Sequence, residues 1–310
     1  MALSDSSIAR SLTSLRPRRG GGLHQWWLAM PFLFPTLVGM VVFTHGAVFA
    51  AFFISLTRWD ALTPWEWIGI NNYRDMFLED KLFARSMVQT GYYTLASVPL
   101  GMVASLLAAA LVNQKLKFMT FYRTVFFLPG ITSIVAVAMV WLWLYNPDFG
   151  VINWLLEIVG ISGPAWLGST KWAMPAVIIF GIWRGLGYNM VIFLAGLQGI
   201  PDVYYEAAEV DGASRFRRFW HITLPLLSPT TFFVLIISLI GSFQVFEQTY
   251  VLTQGGPAYA TMTIAYYIFL QAFQWFHMGI ASALSFVLFL AVMVVTVIQF
   301  GLQRRWVHYG

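Results

Sequence analysis

A chain of 310 residues that is 59% hydrophobic and 10% charged, with a mean hydropathy of +0.70, has too little polar surface for a soluble domain, where about a quarter of residues are charged. It reads as an integral membrane protein. The absence of cysteine excludes disulfides and thiol-ligated metal, and the net charge of +5 matters through its placement along the chain.

A basic tail over residues 1–25 precedes the first apolar run, which is too long for the core of a cleavable signal. A spanning helix takes about 20 predominantly apolar residues, because in lipid it must satisfy its own backbone. Six stretches qualify: 26–55, 83–112, 120–145, 172–197, 226–252 and 278–302. The predicted fold class is therefore all-α, a polytopic membrane protein with six transmembrane helices, its domain 26–303 lying between tails 1–25 and 304–310. Pro31, Pro175 and Pro229 fall near span starts, where a missing N–H costs least. Pro129-Gly130 lies deeper and predicts a bend in the third span. Asn146-Pro147-Asp148 and Gly255-Gly256-Pro257 mark junctions.

Lysine and arginine accumulate on cytoplasmic segments. Alternate segments hold Arg10, Arg16, Arg18 and Arg19; Lys115, Lys117 and Arg123; Arg215, Arg217 and Arg218; and Arg304 and Arg305, twelve in all, against Arg58, Arg74, Lys81, Arg85 and Lys171 on the other side. Both termini and the 199–225 loop are therefore expected in the cytoplasm. Trp26, Trp27, Trp59, Tyr145, Trp172, Tyr250 and Trp306 stand at span ends and fit an interfacial belt.

The 199–225 loop contains "EAAEVDGASRFRRFWHITLPL" (206–226). Pro201 can open a helix in which Asp202, Glu206 and Glu209 form one acidic stripe beside Val203, Ala207 and Val210. Gly212 ends it, because glycine takes the left-handed conformation without penalty. Ser214 can cap a second short helix carrying Arg215, Arg217 and Arg218, with Phe216, Phe219 and Trp220 turned toward the membrane boundary. Such a helix–Gly–helix elbow can be a mere charged connector. Its four acids, Asp202, Glu206, Glu209 and Asp211, exceed what orientation requires and favour docking into a cleft on a soluble partner.

Glu206-Ala207-Ala208, three residues, Gly212, nine residues, then Ile222-x-Leu224-Pro225 resembles at every defining position the EAA signature of permease subunits in binding-protein-dependent ABC importers. The flanking runs "WRGLGYNMVIFLAGLQGIPDVYYEAAEVDGA" (183–213) and "GSFQVFEQTYVLTQGGPAYATMTIAYYIFLQAF" (241–273) are similar to the carbohydrate branch, the maltose and glycerol-phosphate permeases. The likeness runs from about residue 28 to the end and to the six-span subunits of the family. It implies the type I importer, MetI-like fold in a bacterial or archaeal plasma membrane. It further implies a second permease chain, usually a different one, two ATPase subunits, and an external binding protein that delivers a sugar or related polyol. No nucleic acid is expected as a partner.

In that family the elbow is the coupling helix, so Glu206, Ala207, Ala208, Asp211, Gly212, Ile222, Leu224 and Pro225 are the expected ATPase-coupling residues. ATP and Mg belong to the partner; no cofactor, metal or catalytic residue is expected here, and the chain is not expected to be an enzyme. No G-x-x-x-x-G-K-[ST] run occurs, and the cytoplasmic segments are too short for a nucleotide-binding domain. The maltose permease places its sugar contacts on the spans flanking the loop, and the same intervals give Gly185, Tyr188, Ser238 and Ser242 as the substrate path. The bland reading of these serines is backbone or interhelical bonding. Gly181-x-x-x-Gly185 can permit close helix contact. Arg184 and Glu247 stand where the maltose permease is apolar, which leaves three roles for Arg184: attracting a phosphate, pairing with Glu247 or reaching a headgroup. Glycerol 3-phosphate or another non-sugar solute is accordingly the alternative cargo.

Two other classes fit less well. A secondary transporter or channel calls for an acid–base relay deep in the spans or for repeated halves, and only Arg184, Glu247 and His45 lie deep. A membrane enzyme needs a nucleophile or metal constellation, whereas His24, His45, His221, His277 and His308 are scattered, without H-E-x-x-H or G-x-S-x-G.

Overall fold

The computed structural model describes residues 22–114 and 118–307. The tail arginines Arg10, Arg16, Arg18 and Arg19, with Lys115, Lys117 and His308, lie outside the described residues. The described chain divides into two compact units between Ala51 and Phe52.

In the first unit α1 (Gly22–Gly39) runs through Pro31 and Pro35 into a π-helical turn, Met40–His45. His45 Nδ1 lies 3.1 Å from the Met40 carbonyl oxygen, so this histidine serves its own turn. Helix α2 (Gly46–Ser55) completes the first apolar stretch.

The second unit begins with a connection that hydropathy does not resolve. Strands β1 (Thr57–Arg58) and β2 (Glu66–Trp67) pair antiparallel, closed by the Arg58–Glu66 ion pair at 3.0 Å. Between them Asp60 Oδ1 accepts from the Thr63 backbone N–H, the Thr63 hydroxyl and the Leu62 N–H, which holds its carboxyl below the usual range. A short helix, α3 (Asn71–Leu78), follows. Then comes α4 (Lys81–Val112), whose start is capped by Asp80 accepting from the backbone of Leu82 and Phe83.

The third predicted span is two helices, α5 (Met119–Ile131) and α6 (Ile134–Leu144), meeting at 99°. The expected bend is therefore a full break, and it falls at Thr132–Ser133 rather than at Pro129-Gly130. Pro129 stays helical, and the Thr132 hydroxyl donates to its carbonyl (3.0 Å), satisfying an acceptor that the ended helix leaves open.

The connection that follows holds α7 (Val151–Ile158), and α8 (Ala173–Gln198) is the fourth span, unbroken. The elbow follows, with α9 (Asp202–Val210), α10 (Arg215–Arg218), a π turn (Phe219–Thr223) and α11 (Leu224–Leu226). After a 65° turn, α12 (Ser228–Phe243) crosses and stops at Gln244, well short of the predicted end at Leu252. The remainder is α13 (Glu247–Leu252). Helix α14 (Ile264–Phe269) leads through a π turn, Leu270–Gln274, to α15 (Met278–Trp306). Among the described residues four helices can span by length and composition, and six if each of the two bent pairs is one span.

Among the described residues helices α4 and α8 make the most extensive contact, with α5 and α12 against them. One core cluster joins Ala108, Ala109 and Val112 to Met190, Phe193, Leu197, Leu227 and Val234. Another joins Tyr93, Ala138, Val177 and Phe180 to Val245 and Leu252. Along α8 these clusters occupy the two ends; between Phe180 and Met190 only Gly187 is buried, with Ile182 and Leu186 packed against the clusters' edges. One aromatic departs from the interfacial reading: Tyr145 is only 2% exposed, and its hydroxyl donates to the Ala176 carbonyl at 2.9 Å, which makes it a core residue.

Candidate functional site

Two features of the second unit concentrate polar groups. The first is a cavity of about 460 Å³ beside the middle of α8, walled by residues 93–101 of α4, 181–189 of α8 and 238–248 of α12 and α13. It adjoins a second of about 330 Å³, with which it shares Arg184, Gly185, Asn189 and Ser238. The α5–α6 break and the end of α12 reach these walls: Gly130, Ile131 and Ile134 at the first, Gln244, Val245 and Phe246 at the second. Interrupted backbone at membrane depth is tolerated where it faces protein or lines a cavity, since in lipid its freed N–H and C=O groups have no partner.

All four residues expected along the path lie in these walls. Gly185 and Ser238 border both cavities, Ser242 the first and Tyr188 the second. A Cβ on Gly185 would have nothing within 4 Å, so this glycine opens space rather than packing a helix. Tyr188 is 57% exposed and offers its ring face and hydroxyl. The serines are engaged by the protein itself: Ser238 Oγ accepts from Asn189 Nδ2 at 3.3 Å, and Ser242 Oγ donates to the Leu239 carbonyl at 2.8 Å.

The sequence reading missed Tyr93, Asn189 and Gln248. The Gln248 amide donates to the Tyr93 hydroxyl across the cavity wall. A Cβ on Gly181 would collide with that hydroxyl, so Gly181 makes room for the pair. Amides within apolar runs were the available signal for Asn189 and Gln248; their partners are far off in sequence. The backbone-to-backbone approach of helices falls to Gly187, whose Cβ would sit 2.7 Å from the Phe126 carbonyl carbon and the Phe127 Cα. The Gly181-x-x-x-Gly185 expectation of helix contact is corrected accordingly. Arg184 and Glu247 both border the first cavity, yet no ion pair joins them among the described residues.

The second feature is the elbow. Pro201 is the N-cap of α9 and Gly212 has φ +71°. The Ala213 N–H reaches the Ala208 carbonyl (2.9 Å) and the Gly212 N–H the Glu209 carbonyl (3.0 Å), the paired bonds of a Schellman stop. Ser214 Oγ accepts from the Arg217 N–H, capping α10. Two side-chain ties hold the arms, Glu209–Arg218 at 3.0 Å and Tyr205–Thr223 hydroxyls at 3.0 Å. Glu206, Ala207, Asp211 and Gly212 are exposed, as are Val203 (61%) and Val210 (89%); Ala208, Ile222, Leu224 and Pro225 are half-buried at the base. Of the acidic stripe, Glu209 is spent inside the elbow, and Glu206 has no cation within ion-pair distance among the described residues.

The family model for the inner membrane component of binding-protein-dependent transport systems matches residues 97–308. The chain belongs to this family. It is 40% identical to a probable ABC transporter permease of Bacillus subtilis, YesP, over 90% of this chain and 91% of that protein. It is 36% identical to the trehalose/maltose transport system permease MalF of Thermococcus litoralis, over 88% and 92%. The crystal structure of a bacterial alginate ABC transporter, in complex with its alginate pentasaccharide-bound periplasmic protein, contains a chain that superposes with a TM-score of 0.82 at 25% identity. The match covers 93% of this chain and 98% of that one. The chain is thus an inner-membrane permease of the sugar and polyol ABC importer family, with the MetI-like fold.

Proposed function

We propose that the chain is the membrane-spanning subunit of an ATP-driven importer of a saccharide or related polyol, and that the 199–225 elbow couples it to a separate ATPase. Family membership and the saccharide named for MalF and for the alginate transporter support the cargo class. The elbow carries the coupling. A connector needs neither a Schellman stop, nor two cross-ties, nor an unpaired glutamate beside exposed valines, whereas a lever seated in a partner's cleft needs all three. Movement of the partner is transmitted only if the arms hold their angle. The complex in this reading comprises a second permease chain, two ATPase subunits carrying ATP and Mg, and an external binding protein. Co-purification on the tagged chain, followed by uptake in proteoliposomes, tests it. ATP-dependent saccharide uptake that needs the co-purified ATPase is expected, and uptake driven by an ion gradient alone would overturn it.

The distribution of lysine and arginine argues that the elbow faces the cytoplasm. Because the chain has no native cysteine, a single Arg215→Cys variant reports this cleanly from an exposed site. An impermeant thiol reagent is expected to label it only after the cells are opened; labelling of intact cells would invert the topology.

Tyr188 and the two serines are the proposed path residues. Tyr188→Ala removes a stacking face and a hydroxyl, which costs about 1–3 kcal/mol if solute hydroxyls are left unpaired. Uptake by the reconstituted complex is expected to fall while recovery of the ATPase partner stays unchanged. Parental kinetics for Tyr188→Ala, Ser238→Ala and Ser242→Ala alike would remove all three from the path.

A further inference from the structure

We propose that Arg184 is the anion-recognising residue of the cavity, and that the solute carries a carboxylate or phosphate together with hydroxyls; this rests on the saccharide or polyol import argued above. Arg184 sits near the middle of α8, about 16 Å along the helix from Ala173 and farther from Gln198. That distance puts lipid headgroups beyond the reach of its side chain. Its Nε–H is buried without a hydrogen-bond partner, and among the described residues it forms no ion pair. The neighbouring polar side chains are supplied: Tyr93 with Gln248, Asn189 with Ser238, Ser242 with a backbone carbonyl. Among the described wall residues Arg184 is therefore the one that combines a buried, unpartnered donor with an unpaired charge.

A guanidinium is a planar fork of donors with no acceptor, permanently charged. A neutral hydroxyl accepting from it meets the hydrogen-bond demand and leaves the charge uncompensated in a medium of low polarity. A carboxylate or phosphate meets both, with two parallel charge-assisted bonds. Glu247 borders the same cavity and lies in no ion pair among the described residues. Its carboxyl oxygens suit the opposite role, accepting from solute hydroxyls. A cation and a carboxyl that share a cavity without touching fit a solute with an acidic group at one end and hydroxyls at the other.

Saturation-transfer NMR on the purified permease–ATPase complex, without binding protein, tests this with digalacturonate, glycerol 3-phosphate and maltose as probes. The parent is expected to bind at least one acidic probe more tightly than maltose. Arg184→Gln is expected to weaken that acidic probe about tenfold or more, as the loss of a charge-assisted bond implies, and to weaken maltose far less. Arg184→Lys, which keeps charge and loses the fork, falls between. The acidic probe that responds tells carboxylate from phosphate recognition. Tighter binding of maltose than of both acids, or acidic binding unaltered in Arg184→Gln, overturns the proposal and leaves a saccharide importer standing. ATP-dependent uptake of a solute that is neither saccharide nor polyol would instead overturn the import reading itself.

Discussion

Replacing Gly212 with valine is expected to uncouple ATP hydrolysis from uptake while leaving membrane insertion intact. The reason is conformational. At φ +71° nothing lies within 4 Å of where a Cβ would stand, so the position has room for a side chain and only the backbone angle excludes one. A left-handed conformation costs an L residue about 1–2 kcal/mol, and a β-branched one more. Relaxing φ gives up the bonds from Gly212 and Ala213 to α9, and with them the angle that Glu209–Arg218 and Tyr205–Thr223 brace. Gly212→Asn, which tolerates this region, is expected to keep most coupling. Glu206→Lys attacks the same lever by charge. It turns an exposed, unpaired carboxylate into a cation, which would repel a cationic cleft and weaken assembly. Arg215→Gln, at the start of α10 and outside the cross-ties, is expected to matter less. The readouts are recovery on a tagged ATPase, stimulation of hydrolysis by loaded binding protein, and uptake. If Gly212→Val and Glu206→Lys both assemble and transport like the parent, the elbow is a connector and the coupling proposal fails.

The elbow was legible because its determinants are local. A proline before the helix, a glycine at its stop and a serine before the next helix each act within four residues, and the Schellman bonds and the Ser214 cap stand where those residues predict. The spans were legible as far as hydropathy carries. Residues 172–197 and 278–302 match α8 and α15 closely, because an unbroken apolar helix is what the measure detects. Hydropathy fails at the breaks. Thr132–Ser133 and Gln244–Phe246 sit inside apolar runs, and what tolerates their open backbone is a cavity assembled from α4, α8 and α12. The short connecting elements were hidden for a different reason: two-residue strands and the six-residue α14 carry too little periodicity to register. The four proposed path residues came from the family likeness, and Gly185, Tyr188, Ser238 and Ser242 border the two cavities; Tyr93 and Gln248, which meet in the wall of the first, are 155 residues apart and left no local signal.

Spacing alone suggested Gly181 and Gly185 as the contact glycines, and the distances single out Gly187. Gly187→Ala is expected to destabilise the protein despite alanine's advantage of about 1 kcal/mol over glycine inside a helix. The atoms that meet the added methyl are the Phe126 carbonyl and the Phe127 Cα, backbone of α5 that no rotamer change can move. Helix α8 must then shift away from α5, opening the packing around Phe126 and Met190. Overpacking of this kind costs about 1–3 kcal/mol, and a rigid obstacle places it at the upper end. Gly187→Val, with two further methyls, is expected to leave little folded protein. Gly185→Ala is the control two residues away: its methyl enters open cavity space, so it should gain helix propensity, keep or raise the melting temperature in detergent, and alter uptake rather than folding. Thermal unfolding of the three variants beside the parent decides the matter. A melting temperature for Gly187→Ala equal to that of Gly185→Ala would mean that α5 and α8 yield at Phe126, and the close approach would lose its role in holding the walls of the cavities.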